Sequence, residues 1–365
     1  MFELKPDYEK TRQRIEAFWE FDVLDRPVVN FNLNKPLDQQ KPLPASMHQT
    51  PEERWLDAEY QAELAYANLF NRDFIADDLP IVYPNLGPEI FSAFYGCPIH
   101  FGDYGTSWSD PILHNWEDAD TIILDWESPW ITKLHEMTDI LLERGKGKYL
   151  VGMTDWHQGG DALAAFRDPQ NLAIDMVENP EAVKSLLRRV TDDYFKIFDI
   201  FYNKLRQAGQ PSTSWTPLVD DGKYYIPSND FSIMISKKMY NDVFLPGLTE
   251  ECEFLHRSIY HLDGPGALRH LDSVLGIKAL NALQFVPGEG NNLFARWIHV
   301  YQQAQSSKKG VQVVCTVSEL SHVMETLNPR GLYLIISGVS NSEEAENIQN
   351  RLEAWTSEKA RFGQA

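Results

Sequence analysis

The strongest constraint on this chain is a repeated pattern. Short, mostly apolar segments of strand character alternate with stretches of helical period. The segments fall at residues 28–33, 73–77, 149–154, 212–219, 258–263, 279–286, 311–315 and 332–337. Buried strands separated by helices read as a parallel sheet, because parallel neighbours need a crossover and the crossover helices cover the faces. Eight such units within 365 residues fit a closed (β/α)8 TIM barrel better than an open doubly wound sheet. No G-x-G-x-x-G follows the first segment and no P-loop pattern occurs. The expected organisation is one α/β domain over residues 1–365, in which residues 1–26 form an N-terminal helical extension. Its helix, over 7–20, carries Ile15, Phe18 and Trp19 on one side. Two long βα loops are expected. Residues 34–50 are rich in Pro and Gln. Residues 80–112 are rich in Gly, Pro and aromatics, with a short helix at 89–95. Thr50-Pro51-Glu52-Glu53 has the cap, first-turn proline and third-position acid of a helix start. Pro246 marks a kink or break in a helix over 236–256.

Charge and cysteine content narrow the partners. The chain has 53 acidic and 33 basic side chains, a net charge of −20. Such a surface repels phosphate backbones, so nucleic acid is not an expected partner. No apolar run approaches a membrane-spanning length, and the first residues carry no apolar signal core. The three cysteines, Cys97, Cys252 and Cys315, cannot all pair and show no C-x-x-C spacing. A reduced, cytoplasmic setting is therefore expected.

In a barrel of this kind the chemistry lies at the carboxyl ends of the strands. The polar residues there are Asp77 and Asp78; Asp155 and His157; Trp215, Asp220 and Asp221; His261 and Asp263; Glu289; Cys315; and Ser337. Carboxylates crowded into one mouth raise each other's pKa unless a metal or a cationic ligand shares the space. The most informative stretch is Ser258-Ile259-Tyr260-His261-Leu262-Asp263-Gly264. Alternation along a strand puts Ile259, His261 and Asp263 on one side. Each candidate also has a plain structural alternative. His261 can bond Asp263 or the backbone and do nothing more. Asp220-Asp221-Gly222 can be a turn. Asp155 and His157 can flank a helix cap, and Cys315 can be a small buried hydrophobe.

Several stretches resemble the uroporphyrinogen decarboxylase-like superfamily, which includes porphyrinogen decarboxylases and the corrinoid and coenzyme M methyltransferases. They are Lys237-Lys238-Met239-Tyr240-Asn241-Asp242-Val243-Phe244-Leu245-Pro246, Tyr260-His261-Leu262-Asp263-Gly264, Leu280 through Gly290, and Asn328-Pro329-Arg330-Gly331-Leu332. The resemblance implies a (β/α)8 barrel and spans most of the chain. Two departures are informative. The decarboxylases carry paired arginines after the first strand, where this chain has Phe31-Asn32-Leu33-Asn34-Lys35-Pro36. The zinc methyltransferases carry His-x-Cys on the fifth strand and a Cys on the last. Here those places read His261-x-Asp263 and Ser337.

The resemblance implies methyl transfer involving a corrinoid protein or a small methylated compound. The ligand set for zinc or another divalent metal would be His261, Asp263 and Glu289, with Cys315. Alternatively, His261 and Asp263 form a metal-free acid–base pair. The aromatic mouth, Trp156, Trp215 and Tyr224 with Asp155, would hold the organic part, and His157 joins the catalytic candidates. A second reading is a decarboxylase or other lyase on a small polar substrate. There Asp78 or Asp221 would stabilise a cationic intermediate while His261 moves the proton. A third is a barrel that only binds a ligand. A homodimer is expected from the family.

Overall fold

A computed structural model describes residues 2–103, 106–288 and 290–361. Eight strands carry the frame: β1 (Val28–Asn30), β2 (Ile81–Val82), β3 (Leu150–Val151), β4 (Tyr224–Tyr225), β5 (Arg257–Asp263), β6 (Ala282–Val286), β7 (Gly310–Thr316) and β8 (Leu332–Ser337). Six of them form one parallel sheet in the order β1-β8-β7-β6-β5-β4. The first strand lies beside the last, so the sheet curls. β2 and β3 form a separate parallel pair. Backbone hydrogen bonds beside this pair reach towards the sheet edges: Asp77 N–H to the Val29 carbonyl at 3.0 Å, and Met153 N–H to the Thr213 carbonyl at 2.8 Å. The Ser212 hydroxyl then meets the Tyr224 backbone at 3.0 Å. The described residues thus form an α/β fold with a half-barrel sheet, and its circuit is compatible with a closed eight-stranded barrel.

The strand period sorts the core into two parts. Ile259 packs inside the curl with Val28, Leu79, Leu150, Tyr224, Ala282 and Tyr333. Its neighbours Tyr260 and Leu262 belong to the outer core. The inner part is floored by α1 (Tyr8–Trp19), which contributes Ile15, Phe18 and Trp19. The outer face is covered by α2 (Ala58–Phe70), α3 (Pro129–Gly145), α4 (Gly160–Arg167), α5 (Pro180–Gln207), α6 (Lys237–Phe254), α7 (Phe294–Ser306) and α8 (Ser342–Arg361). α5 shows why these helices dock: Val183, Leu186, Leu187, Val190, Tyr194, Ile197 and Phe201 are buried at helical spacing, an apolar stripe facing the core.

Several expectations are corrected. Residues 73–77 are not the second parallel strand. Arg72–Asp73 pairs antiparallel with Leu33–Asn34. The chain then turns through Ala76, whose φ is +55°, before β2 begins. Asp77 faces inward, but as a buried ion-pair partner. Its carboxylate contacts Arg26, Arg14 at 3.1 Å and the Val29 N–H at 3.0 Å. Residues 212–219 are not one strand either. Ser212 and Asp220 pair antiparallel, and the intervening hairpin pushes Leu218 and Val219 into the inner core. Trp19 Nε1 donates to the Val219 carbonyl at 3.1 Å. Pro217, which lacks an N–H, suits the fold-back better than a ladder. Pro246 does not break α6, which runs through it. After Gly160, where the helical pattern predicts one helix over about 160–177, the helix breaks at Asp168 (φ +81°), whose carboxylate caps a second helix, Pro169–Glu178. Thr50 caps as its motif predicts, accepting from Glu53 N–H at 3.1 Å.

The Arg14–Asp77–Arg26 cluster yields a stability prediction. Both arginines and Asp77 are buried. Asp77→Ala leaves Arg26 without a carboxylate partner and takes one of two from Arg14, which keeps Asp25 at 2.7 Å; it should cost about 3–5 kcal/mol, read as a lower urea midpoint. A loss under about 1 kcal/mol would show that the pair is not structural.

Candidate active site

The site is built where the inner apolar layers of the sheet give way to polar side chains. Beyond β3 the chain passes close to Thr213, and a Cβ at Gly152 would lie 2.8 Å from its carbonyl. Asp155 and His157 follow, then Gly159 at φ +64°. Gly160 packs so tightly that a Cβ would meet Asn229 Oδ1 at 2.5 Å. That contact brings the first turn of α4, carrying Asp161, against the segment leaving β4. The Asp161 carboxylate accepts from Phe231 N–H at 2.9 Å, Asp230 N–H at 3.1 Å and the Ser228 hydroxyl at 3.4 Å. His157, Asp161 and Asp230 each offer a ligand atom, and these atoms all lie within 4.8 Å of one another.

β5 supplies His261 and Asp263. His261 Nδ1 lies 2.6 Å from Gln284 Oε1, and Gln284 Nε2 donates to Gln312 Oε1 at 3.0 Å. The chain of amides runs across β5, β6 and β7. An amide oxygen can only accept, so Nδ1 donates to Gln284 and the hydrogen bond fixes the ring. The Trp215 ring meets His261 edge-on, with centroids 5.5 Å apart.

Two openings reach this region. A cleft of about 470 Å³ is lined by Glu89, Trp108, His157, Asp161, Asp230 and Met234, among others. A second, of about 270 Å³, lies on the β1 side between Asn30, Asp78, Tyr83, Trp215 and Tyr333. Carboxylates outnumber imidazoles, and the pKa shifts follow. Burial raises Asp230, Asp161 adds to the rise, and His261 and His157 oppose it. Burial also raises Asp155, against the pull of His157 and His261; the Trp215 N–H faces it without reaching hydrogen-bond geometry. Burial raises Glu89, against the Ser109 hydroxyl that donates to it at 2.9 Å. For His157, burial acts downward, but Asp161, Asp155, Asp230 and Glu89 together bring it above its ordinary value.

Of the residues singled out by sequence, Asp155, His157, Trp215, His261 and Asp263 are brought together, joined electrostatically through Asp155 and Asp230. Asp78 lies across the mouth, sharing the second opening with Trp215. The others are elsewhere. Trp156 is buried in the outer core against Phe91, Phe94 and Phe201, because it alternates away from its neighbours. Tyr224 is sealed in the inner core, its hydroxyl donating to the Thr216 carbonyl at 3.2 Å. Asp221 is at the opposite, amino-terminal end, 73 % exposed and 3.8 Å from Arg12 of α1. The misplaced fourth strand is the reason. Cys315 faces outward between strand and helices, where burial pushes its thiol up to about 12. It cannot share an ion with His261. Glu289 lies outside the described residues. Sequence reasoning missed Asp161, Asp230, Glu89 and Gln284. Gln284 and Gln312 were visible as amides at inward positions of apolar strands. Asp230 would have appeared as a strand-end acid had Tyr224-Tyr225-Ile226 been read as the fourth strand.

No family model matches the chain, and no curated protein matches its sequence. Among solved structures, a methyltransferase from Methanosarcina mazei is similar to it. The TM-score is 0.57 at 12 % identity, over 95 % of this chain and 98 % of that one. At that identity the likeness is one of fold. Among the described residues, no helix is long and apolar enough to cross a membrane.

Asp78 provides a pH test. Burial pushes its carboxyl up to about 6, against the N–H groups of Phe31 and Asn32 and the charge of Arg72. Below the unfolded value near 3.8 both states are protonated and the group contributes nothing. As pH rises, the unfolded chain releases its proton first and stability falls, with the full penalty present above about 6. Asp78→Asn should remove this fall, worth at most about 3 kcal/mol. The check is urea unfolding of both proteins across the window; parallel pH profiles would contradict it.

Proposed function

We propose that the chain is a methyl-transferring enzyme built on a closed (β/α)8 barrel, and that His157, Asp161 and Asp230 hold a divalent metal ion at its site. The observation that carries this is the convergence of three ligand atoms within 4.8 Å on the wall of an open cleft. One imidazole and two carboxylates form a nitrogen–oxygen donor set that suits zinc in an open site, or another first-row divalent ion. Asp230 Oδ1 is buried and without a hydrogen-bond partner, which fits a ligand atom. The methyl-transfer part is supported by the likeness, over nearly the whole of both chains, to a methyltransferase.

Bound there, the ion would act as a Lewis acid on the heteroatom that carries the methyl group. The protein's residues do the rest. Asp161 is held in place by three hydrogen bonds before any ligand arrives. His261, fixed by Gln284, lies within electrostatic reach of Asp230 and can exchange a proton with the departing group. Trp108, Phe231, Ile233 and Met234 line the cleft and suit the organic part of a methylated compound. The methyl group leaves without its bonding pair, which stays on the heteroatom. The acceptor must bring its own pair, as a thiolate or a reduced corrinoid on a partner protein does.

The test begins with protein purified without chelator. Elemental analysis should find stoichiometric metal, and cobalt(II) substitution should give a visible ligand-field spectrum. Asp230→Asn and His157→Ala should each weaken metal binding by at least about 100-fold and abolish methyl transfer from O- or N-methylated donors to cob(I)alamin or a thiol. Wild-type protein that binds neither zinc nor cobalt rules out the metal. Metal-loaded protein that transfers no methyl group from the donor panel rules out the reaction.

A further inference from the structure

Behind the cleft lies a small cavity of about 30 Å³. Its walls include the Gly159–Gly160 turn, Asn229, Tyr194 of α5 and Glu251 of α6. Two of these walls are the segments that carry the triad, since Gly160 precedes Asp161 and Asn229 precedes Asp230. Three polar atoms on residues lining the cavity lack a hydrogen bond: Gln158 Oε1, Asn229 Oδ1, and Tyr194 OH, which faces the Glu251 carboxyl without reaching hydrogen-bond geometry. Their residues are 3 %, 7 % and 1 % exposed, so bulk water does not reach them. Buried polar atoms of this kind are normally satisfied, and a cavity of this size has room for one or two waters.

Glu251 is buried beside them, and its carboxyl accepts from Gln158 Nε2 at 2.5 Å. The titratable groups around it are Tyr194 on α5, Tyr225 on β4, and Tyr240 and Cys252 on its own helix. Burial pushes each of them upward, so all are neutral. Among the described residues no cation pairs with Glu251, and burial pushes its carboxyl up to about 8. At neutral pH it is a carboxylic acid, which both donates and accepts.

We propose that Glu251, with one or two waters held in this cavity, is a positioning residue for the active site: it fixes Gln158 and Asn229, and through them the spacing of His157, Asp161 and Asp230. The inference rests on the metal reading of the triad and adds a regulation of that site. Loss of the Glu251 proton leaves an unpaired charge in the cavity and loosens both segments. The sign follows from the raised value. The folded protein holds this proton longer than the unfolded chain, so the contribution falls as pH rises from near 4.5 and is gone above about 8.

The experiment compares whole wild-type protein with Glu251→Gln, which is neutral and isosteric, and Glu251→Ala. Amide hydrogen exchange without metal, corrected for intrinsic rates, is followed from about pH 7 to about pH 9. Wild-type protection at residues 156–161 and 228–231 should drop by about tenfold, the population shift of one proton over one pH unit. Glu251→Gln should stay flat, and Glu251→Ala should be weakly protected throughout. Cobalt(II) affinity should follow the same order. If Glu251→Ala does not fold, Gln158→Met breaks the same hydrogen bond and should behave like it. Identical pH profiles for wild type and Glu251→Gln, or a dry cavity in a high-resolution structure, overturn the proposal. A wild type that binds no cobalt overturns the metal reading alone, and the exchange profiles still decide the role of Glu251.

Discussion

Everything in this protein depends on how the curled parallel sheet fills its concave face. Helices cover the outer face, but no helix can lie along the inside. The strands therefore fill it with their own inward side chains, helped by α1 from below and by the hairpin that carries Leu218 and Val219. Apolar filling reaches up β5 as far as Ile259. Two residues on, the inward position is His261, and two further on it is Asp263. The site starts where that apolar filling stops, which is why its side chains come from the ends of several strands.

The second constraint is electrostatic. Among the described residues, Asp155, Asp161, Asp230, Asp263 and Glu89 share the region with two imidazoles. Repulsion on that scale is tolerated in two ways. Some carboxyls bind their protons more tightly, since burial raises Asp155, Asp230 and Glu89. Others are held by backbone N–H groups, as Asp161 is. A bound cation would relieve the same repulsion, and the cleft is open enough to admit one with an organic ligand. Asp77 shows the structural use of the same residue type: deeper in the fold and flanked by two arginines, it holds elements together and faces no cleft.

The fold was more legible than the site, and the failures share a cause. The apolar runs at β5, β6, β7 and β8 stand out because each is continuous and bounded by turn residues. The first half was harder. β2 and β3 are two residues long in regular pairing, and the hairpin before β4 is apolar enough to pass for a strand. Misreading that hairpin moved Asp221 to the mouth and hid Asp230. Trp156 and, in its ligand reading, Cys315 fall outside the site for a simpler reason. A strand end offers two faces, and the side on which a residue falls depends on register, not on its chemistry.

The sequence by itself determined the alternation of strand and helix, the inward set Ile259, His261 and Asp263, and the acidity of the mouth. Those are local properties, set by period and composition. Only the tertiary structure decided which acids meet. Asp161 and Asp230 are 69 residues apart in contact, and what joins them is the absence of a side chain at Gly160, which lets α4 close on Asn229. Close approach of this kind is a property of two backbones in space. No pattern along either segment records it, because the missing Cβ acquires meaning only once the partner is in place.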